Sequence, residues 1–142
     1  MEDCIFCKIA SGDIPSRIVY EDDKVVAFLD NSQVTPGHTL LIPRKHVDDI
    51  FEYDEELATD VFSRIPKIAR ALKVFDPRVE GLNIVNNNGE IAYQSVFHSH
   101  IHLIPRYDEN DGLGIQFADN SSKHTDDELD HIAEQISEKI EG

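Results

Sequence analysis

Apolar positions along the chain fall into two kinds of pattern. Short runs at 17–21 (RIVYE), 25–30 (VVAFLD) and 38–43 (HTLLIP) predict strands. The polar EDD at 21–23 closes the first two as an antiparallel hairpin, and SQVTPG at 32–37 forms the next loop. From residue 54 to 75, Leu57, Val61, Ile65, Ile68, Leu72 and Phe75 recur at steps of three and four, which predicts an amphipathic helix. Pro66 interrupts it, so a kink or break is expected near Arg64 and Ile65. Two further strands are predicted at 82–86 (LNIVN) and 99–105 (SHIHLIP), and a last helix at 126–140. Thr125 and Glu128 stand in capping-box spacing at its start, with Leu129, Ile132, Ile136 and Ile140 on one side. Five strands with hairpin-compatible loops, one long central helix and a C-terminal helix imply an α+β fold around an antiparallel sheet, in a single domain over 1–142.

Chemistry concentrates in FHSHIHLIPR at 97–106. Residues i, i+2 and i+4 of a strand share a face, so His98, His100 and His102 line one surface while Ile101 and Leu103 enter the core. One ion cannot hold all three, because His98 and His102 stand about 13 Å apart along a strand. At least one imidazole is therefore free. A neutral imidazole is a good nucleophile near neutrality, and a neighbouring ring can hydrogen-bond phosphate oxygens, which fits covalent phosphoryl or nucleotidyl transfer. Asn87, Asn88, Gly89, Gln94 and Ser95, just before the strand, offer amides, a hydroxyl and flexible backbone for a phosphate cradle, although such residues also make ordinary turns.

Charge and cysteines narrow the field. A net charge of -15 opposes binding to nucleic acid or anionic lipid. No apolar run approaches a membrane span and the first residues do not read as a signal peptide, so a cytoplasmic protein is expected. Cys4 and Cys7 are too close in sequence to staple a fold; they suit metal ligation or redox chemistry. Arg44, Lys45 and Arg106 read as solvated strand ends, and His124 and His131 as surface residues.

QSVFHSHIHLIPR and TPGHTLLIPRKH, together with CIFCKI and FLDNSQVTPGH, resemble the signature segments of the histidine triad (HIT) family, over about residues 4–112. The resemblance implies nucleotide-binding enzymes that hydrolyse or transfer a nucleoside monophosphate unit, as homodimers whose five-stranded sheets join into one. By that resemblance His100 attacks the α-phosphate, His102 binds a phosphate oxygen, and Gln94 and Ser95 contact the phosphate or leaving group. Asp30 accepts the ribose hydroxyls, Asn87 lies near the ribose-phosphate, and His38 is a supporting histidine. Cys4, Cys7, His46 and His98 resemble the zinc site of one branch of the family and of the related galactose-1-phosphate uridylyltransferases, a closed set that would be structural. Substrates are expected to be adenylated or phosphoramidate-type small molecules. Dinucleoside polyphosphate hydrolysis, and a zinc-stabilised nucleotide-binding or interaction protein with little turnover, are the alternatives. Two positions depart from the family pattern. Tyr93 stands where glycine is usual, and Asn31 where an apolar residue is common.

Overall fold

The structure is a computed structural model that describes residues 3–142. Five antiparallel strands, β1 (Ile18–Glu21), β2 (Val25–Leu29), β3 (Thr39–Pro43), β4 (Gly81–Asn86) and β5 (Ile101–Arg106), form one sheet in the order β1-β2-β3-β5-β4. The expected strands are present with ends shifted by a residue or two. The 21–23 turn is held by Asp22, whose Oδ1 accepts from the amides of Lys24 (2.8 Å) and Val25 (3.0 Å).

Helix α1 (Ile5–Ser11) precedes the sheet, α2 (Glu55–Phe62) and α3 (Ile65–Phe75) connect β3 to β4, and α4 (Asp126–Ser137) ends the chain. The central helix breaks where Pro66 requires it, since proline fits the first turn of a new helix, where its missing N–H is no loss. Thr125 Oγ1 accepts from Glu128 N, and Glu128 Oε1 accepts from Thr125 N, completing the expected capping box.

Both faces of the sheet are covered, which is why β2 and β3 read as continuous apolar runs and not as alternation. Val25, Ala27, Leu41, Ile101 and Leu103 meet Leu57, Val61, Ile65, Ile68 and Leu72 of α2 and α3 on one face. Val26, Phe28, Leu40 and Ile42 meet Phe6 of α1 on the other. His102 pairs with Leu40 across β5 and β3, so the histidine face is the α1 face. That helix was not legible in the sequence; Cys4 caps it by accepting from Cys7 N, and Gly12, left-handed at φ +86°, ends it. No helix among the described residues is long and apolar enough to cross a membrane.

Candidate active site and metal centre

Each histidine is oriented by what its second nitrogen touches. His100 Nδ1 lies 2.9 Å from the carbonyl oxygen of His98, which can only accept, so Nδ1 carries the proton and Nε2 keeps its lone pair. His38 Nδ1 faces the amide of Val34 at 3.3 Å and must accept, which makes His38 Nε2 the donor to His102 Nδ1 at 2.9 Å. His102 is thereby left with an N–H at Nε2. Two adjacent rings, with centroids 5.2 Å apart, thus present one lone pair and one donor.

Burial pushes the basicity of His102 down to about 4, helped by His100 and His38 and opposed by Asp30. Burial also lowers His100 and His38, against the pull of the Asp30 carboxylate on each. The pair therefore stays neutral at physiological pH, the state a nitrogen nucleophile needs. Phe6 packs its ring edge-to-face on His100 at 5.1 Å and limits water around it.

The His100 backbone is fixed from the side by Asn86, whose Nδ2 donates to the His100 carbonyl at 2.9 Å, a role the sequence did not reveal. Asp30 directly follows β2, with Oδ1 bonded to the amide of Ser32 (2.7 Å) and Oδ2 4.0 Å from His38 Nε2. Burial would raise its carboxyl, but the Ser32 bonds and the nearby histidines outweigh this and lower it. The 32–37 loop is shaped by Gly37 at φ +97°, where any side chain would strike Phe75 at 2.9 Å.

The loop before β5 is arranged differently from the sequence expectation. Gln94 is 3% exposed, and its amide is spent on backbone: Nε2 donates to the carbonyls of Asp48 (2.6 Å) and Val96 (3.1 Å), while Oε1 accepts from Gly89 N (2.8 Å). It braces the loop and has no group left for phosphate. Asn88 is spent likewise, accepting from Ile50 N at 2.7 Å. Asn87 is half-buried, and Ser95 is exposed at the edge of a cleft of about 720 Å³ whose walls include Ile5, Val96 and Phe97. That cleft lies on the cysteine side and does not include His100. Tyr93 is left-handed, with φ +73°, which explains why glycine suits the position, and its ring is 86% exposed. Asn31 is exposed, and its neighbour Asp30 makes the turn bond instead.

The second cluster joins three segments distant in sequence. His98 Nδ1 lies 3.3 Å from Cys4 Sγ and 3.4 Å from Cys7 Sγ, and His46 Nδ1 lies 3.3 Å from Cys7 Sγ. The opposite nitrogens are held by acceptors, His98 Nε2 by the Pro43 carbonyl (2.8 Å) and His46 Nε2 by Asp48 Oδ1 (2.9 Å), so both Nδ1 lone pairs point at the sulfurs. All four ligand atoms lie within 4.8 Å of one another. A tetrahedral ion at ~2.3 Å from sulfur and ~2.0 Å from nitrogen spaces such ligands by roughly 3.5 Å, so this donor set fits a metal ion with little movement. Asp30, His38 and His102 also lie within that span, but there His38 Nε2 is committed as a donor.

A HIT domain matches residues 11–109. The chain belongs to the HIT family. It is 51% identical over 140 residues to Protein hit of Bacillus subtilis, covering 98% of this chain and 95% of that one. It is 36% identical over 140 residues to an adenosine 5'-monophosphoramidase of Candida albicans, covering 96% and 91%. A solved HIT family structure from Bacillus subtilis superposes with a TM-score of 0.95 at 48% identity over 99% of both chains. A Zn-bound histidine triad family protein from Mycobacterium smegmatis does so with a TM-score of 0.74 at 32% identity, over 98% and 99%. In this HIT protein the histidine-rich segment is therefore divided between two clusters: His98 lies with Cys4, Cys7 and His46, while His102 lies with His38 and Asp30, beside the His100 ring.

Proposed function

We propose that this HIT protein hydrolyses adenylated or phosphoramidate-type nucleotides through a nucleotidyl-histidine intermediate. The observation that carries the reading is the pair of tautomers, a lone pair on His100 Nε2 beside a donor on His102 Nε2. Relatives named adenosine 5'-monophosphoramidase support the choice of substrate class.

In the first step His100 Nε2 gives its pair to the α-phosphorus, the bond to the leaving group breaks, and that group departs with the bonding pair and takes a proton from solvent water, relayed by the exposed Ser95 hydroxyl. His102 Nε2–H stabilises the phosphate oxygen as its charge grows. Water then attacks the same phosphorus and gives a proton back to solvent, the P–N bond to His100 breaks with its pair returning to Nε2, and the nucleoside monophosphate leaves. Asp30 receives the ribose hydroxyls, Asn87 lies by the ribose-phosphate, and Gln94 acts from behind by keeping the loop in shape. Dinucleoside polyphosphates would be cleaved by the same attack, and side-by-side turnover separates the two substrate types.

Cys4, Cys7, His46 and His98 would hold zinc, whose thiolate-imidazole preference matches this donor set; with four protein ligands its part is structural, tying the N-terminal segment to the sheet. The protein acts as a homodimer on a small nucleotide, in the cytoplasm, as one domain. β4 is an outer strand whose edge can pair with a second copy.

The test is His100→Ala, which abolishes turnover while nucleotide binding persists; full activity in that variant rejects the reading.

A further inference from the structure

Cys4 and Cys7 are the only cysteines of the chain, and the metal reading uses them solely as a pair of thiolates. Their placement gives them a second chemistry. Cys4 is the N-cap of α1 and Cys7 the third residue of the helix, so both side chains stand on the first turn, three positions apart. Cys4 Sγ rests on the Cys7 amide at 3.2 Å, and both sulfurs approach one atom, His98 Nδ1, at 3.3 and 3.4 Å. With the sulfurs inside the 4.8 Å span of the cluster, a bond of ~2.05 Å between them calls for side-chain rotation within one helical turn.

The members of the cluster differ in access. His98 is fully buried, whereas Cys4 and His46 border the open cleft of about 720 Å³ that Asp3, Ile5 and Asp48 also line. A small oxidant in that cleft meets Cys4 Sγ first. Cys7 is half-buried and does not line the cleft, which suits it to a second, resolving attack. Helix α1 also has holds that do not involve sulfur. Phe6 packs with Val26, Phe28, Leu40 and Ile42, and Arg44 Nη1 donates to the Ala10 carbonyl. Oxidation would therefore loosen the helix without unfolding the chain, the condition for a reversible change.

We propose that Cys4 and Cys7 form a peroxide-reactive oxidation site, whose closure to a disulfide gives up the metal ion and loosens α1. The inference rests on the metal reading of the cluster. In the first step the Cys4 thiolate attacks one oxygen of hydrogen peroxide, the O–O bond breaks and hydroxide leaves, so that Cys4 carries a sulfenic acid. The Cys7 thiolate then attacks the Cys4 sulfur, the S–O bond breaks and a second hydroxide leaves. Two thiolates and one peroxide thus become one disulfide and two hydroxides; the sulfurs lose two electrons and the peroxide oxygens gain them. Thiolates ligate the ion and disulfide sulfurs do not, so only His46 and His98 remain, too few for a structural site. Phe6, between the cysteines in sequence, carries the change toward the open site, because its ring lies edge-to-face on both His98 (6.1 Å) and His100 (5.1 Å).

The zinc-loaded, full-length protein tests this. Metal analysis of the reduced chain comes first, and a chain without zinc overturns both the metal reading and the coupling proposed here. Hydrogen peroxide in small excess should then lower the intact mass by two hydrogens, assigned to the tryptic peptide that ends at Lys8, and release about one zinc per chain to a chromogenic chelator. Amide hydrogen exchange in α1 should quicken, and reductant with added zinc should reverse all three changes. In a chain that does carry zinc, four results would each overturn this inference alone: thiols that stay reduced, sulfinic acid formed without the disulfide, a disulfide that leaves zinc bound, or α1 exchange that does not change.

Discussion

The carbonyl of His98 accepts from His100 Nδ1 at 2.9 Å, while the His98 ring turns its own Nδ1 toward the sulfurs of Cys4 and Cys7. One fully buried residue therefore anchors the metal-competent cluster with its side chain and sets the tautomer of the proposed nucleophile with its backbone.

His38 sets the tautomer of His102 in the same way, through the 2.9 Å bond from its Nε2. Replacing it by phenylalanine leaves His102 free to place its proton on either nitrogen. We expect kcat to fall on the order of 10-fold or more, with KM changed less, because the lost donor matters most as phosphate charge develops. Steady-state kinetics checks this; an unchanged kcat would show that His102 needs no such partner.

Metal content provides a second check. Purified protein should carry about one zinc per chain, lost in Cys4→Ser together with thermal stability. Asp48→Asn, which weakens the carboxylate behind His46, should lower zinc affinity about 10- to 100-fold without removing a ligand. Metal analysis and a chelator competition measure both, and unchanged metal content in Cys4→Ser would count against the site.

The pH dependence of activity follows from the buried rings. His102 is held at about 4 in the folded chain, chiefly by burial, with His100, His38 and Asp30 as its charged or titratable neighbours. Its folded value lies below the ordinary ~6.5, so the neutral ring persists as pH falls through 6.5 and is lost only on approaching the folded value. The acid limb of kcat/KM for the metal-replete protein should accordingly lie below pH 6.5. An inflection at or above that value would contradict it.

Asp22 makes stability pH-dependent. Burial alone would raise its carboxyl, but hydrogen bonds from the Tyr20 hydroxyl, Arg64 and the amides of Lys24 and Val25 hold it well below the usual carboxylate range. A depressed folded value means the contribution is present above the unfolded carboxylate range and is lost as pH falls through it toward the folded value. Denaturant unfolding should show Asp22→Asn less stable at neutral pH and less sensitive to acid between about pH 5 and 2 than wild type. Parallel pH curves would remove Asp22 from the account.

Tyr93 bears on whether the loop can serve phosphate. Its ring points out, and only its backbone angle is unusual, so Tyr93→Gly should keep turnover and should not lower the melting temperature. A large loss of activity would mean that the ring takes part in the site.

Much of this was legible before any coordinates. The strands, the Pro66 break and the Thr125 cap follow from local rules, in which a few neighbouring residues decide the outcome. The four metal-competent residues were marked by resemblance and the fold brings them together; His38 was marked only as a supporting histidine, and its bond to His102 appears first in the structure. Other features depend on which atom meets which. Gln94 looks like a phosphate ligand until its amide is seen bound to Asp48, Val96 and Gly89. Asn86 reads as the end of a strand, and nothing local announces its bond to His100. Helix α1 is seven residues long, too short for periodicity to mark, although Gly12 after Ser11 was a usable stop signal. Asp48, two residues after His46, was the nearest missed clue to the metal centre.

The most direct measurement is intact-protein mass after mixing enzyme with excess adenosine phosphoramidate and quenching rapidly without acid. A transient gain of one adenylyl group, mapped to His100 and missing from His100→Ala, is the predicted result. Steady turnover with no adduct at any time, or an adduct on another residue, would contradict the proposal that the His100 Nε2 lone pair carries the chemistry.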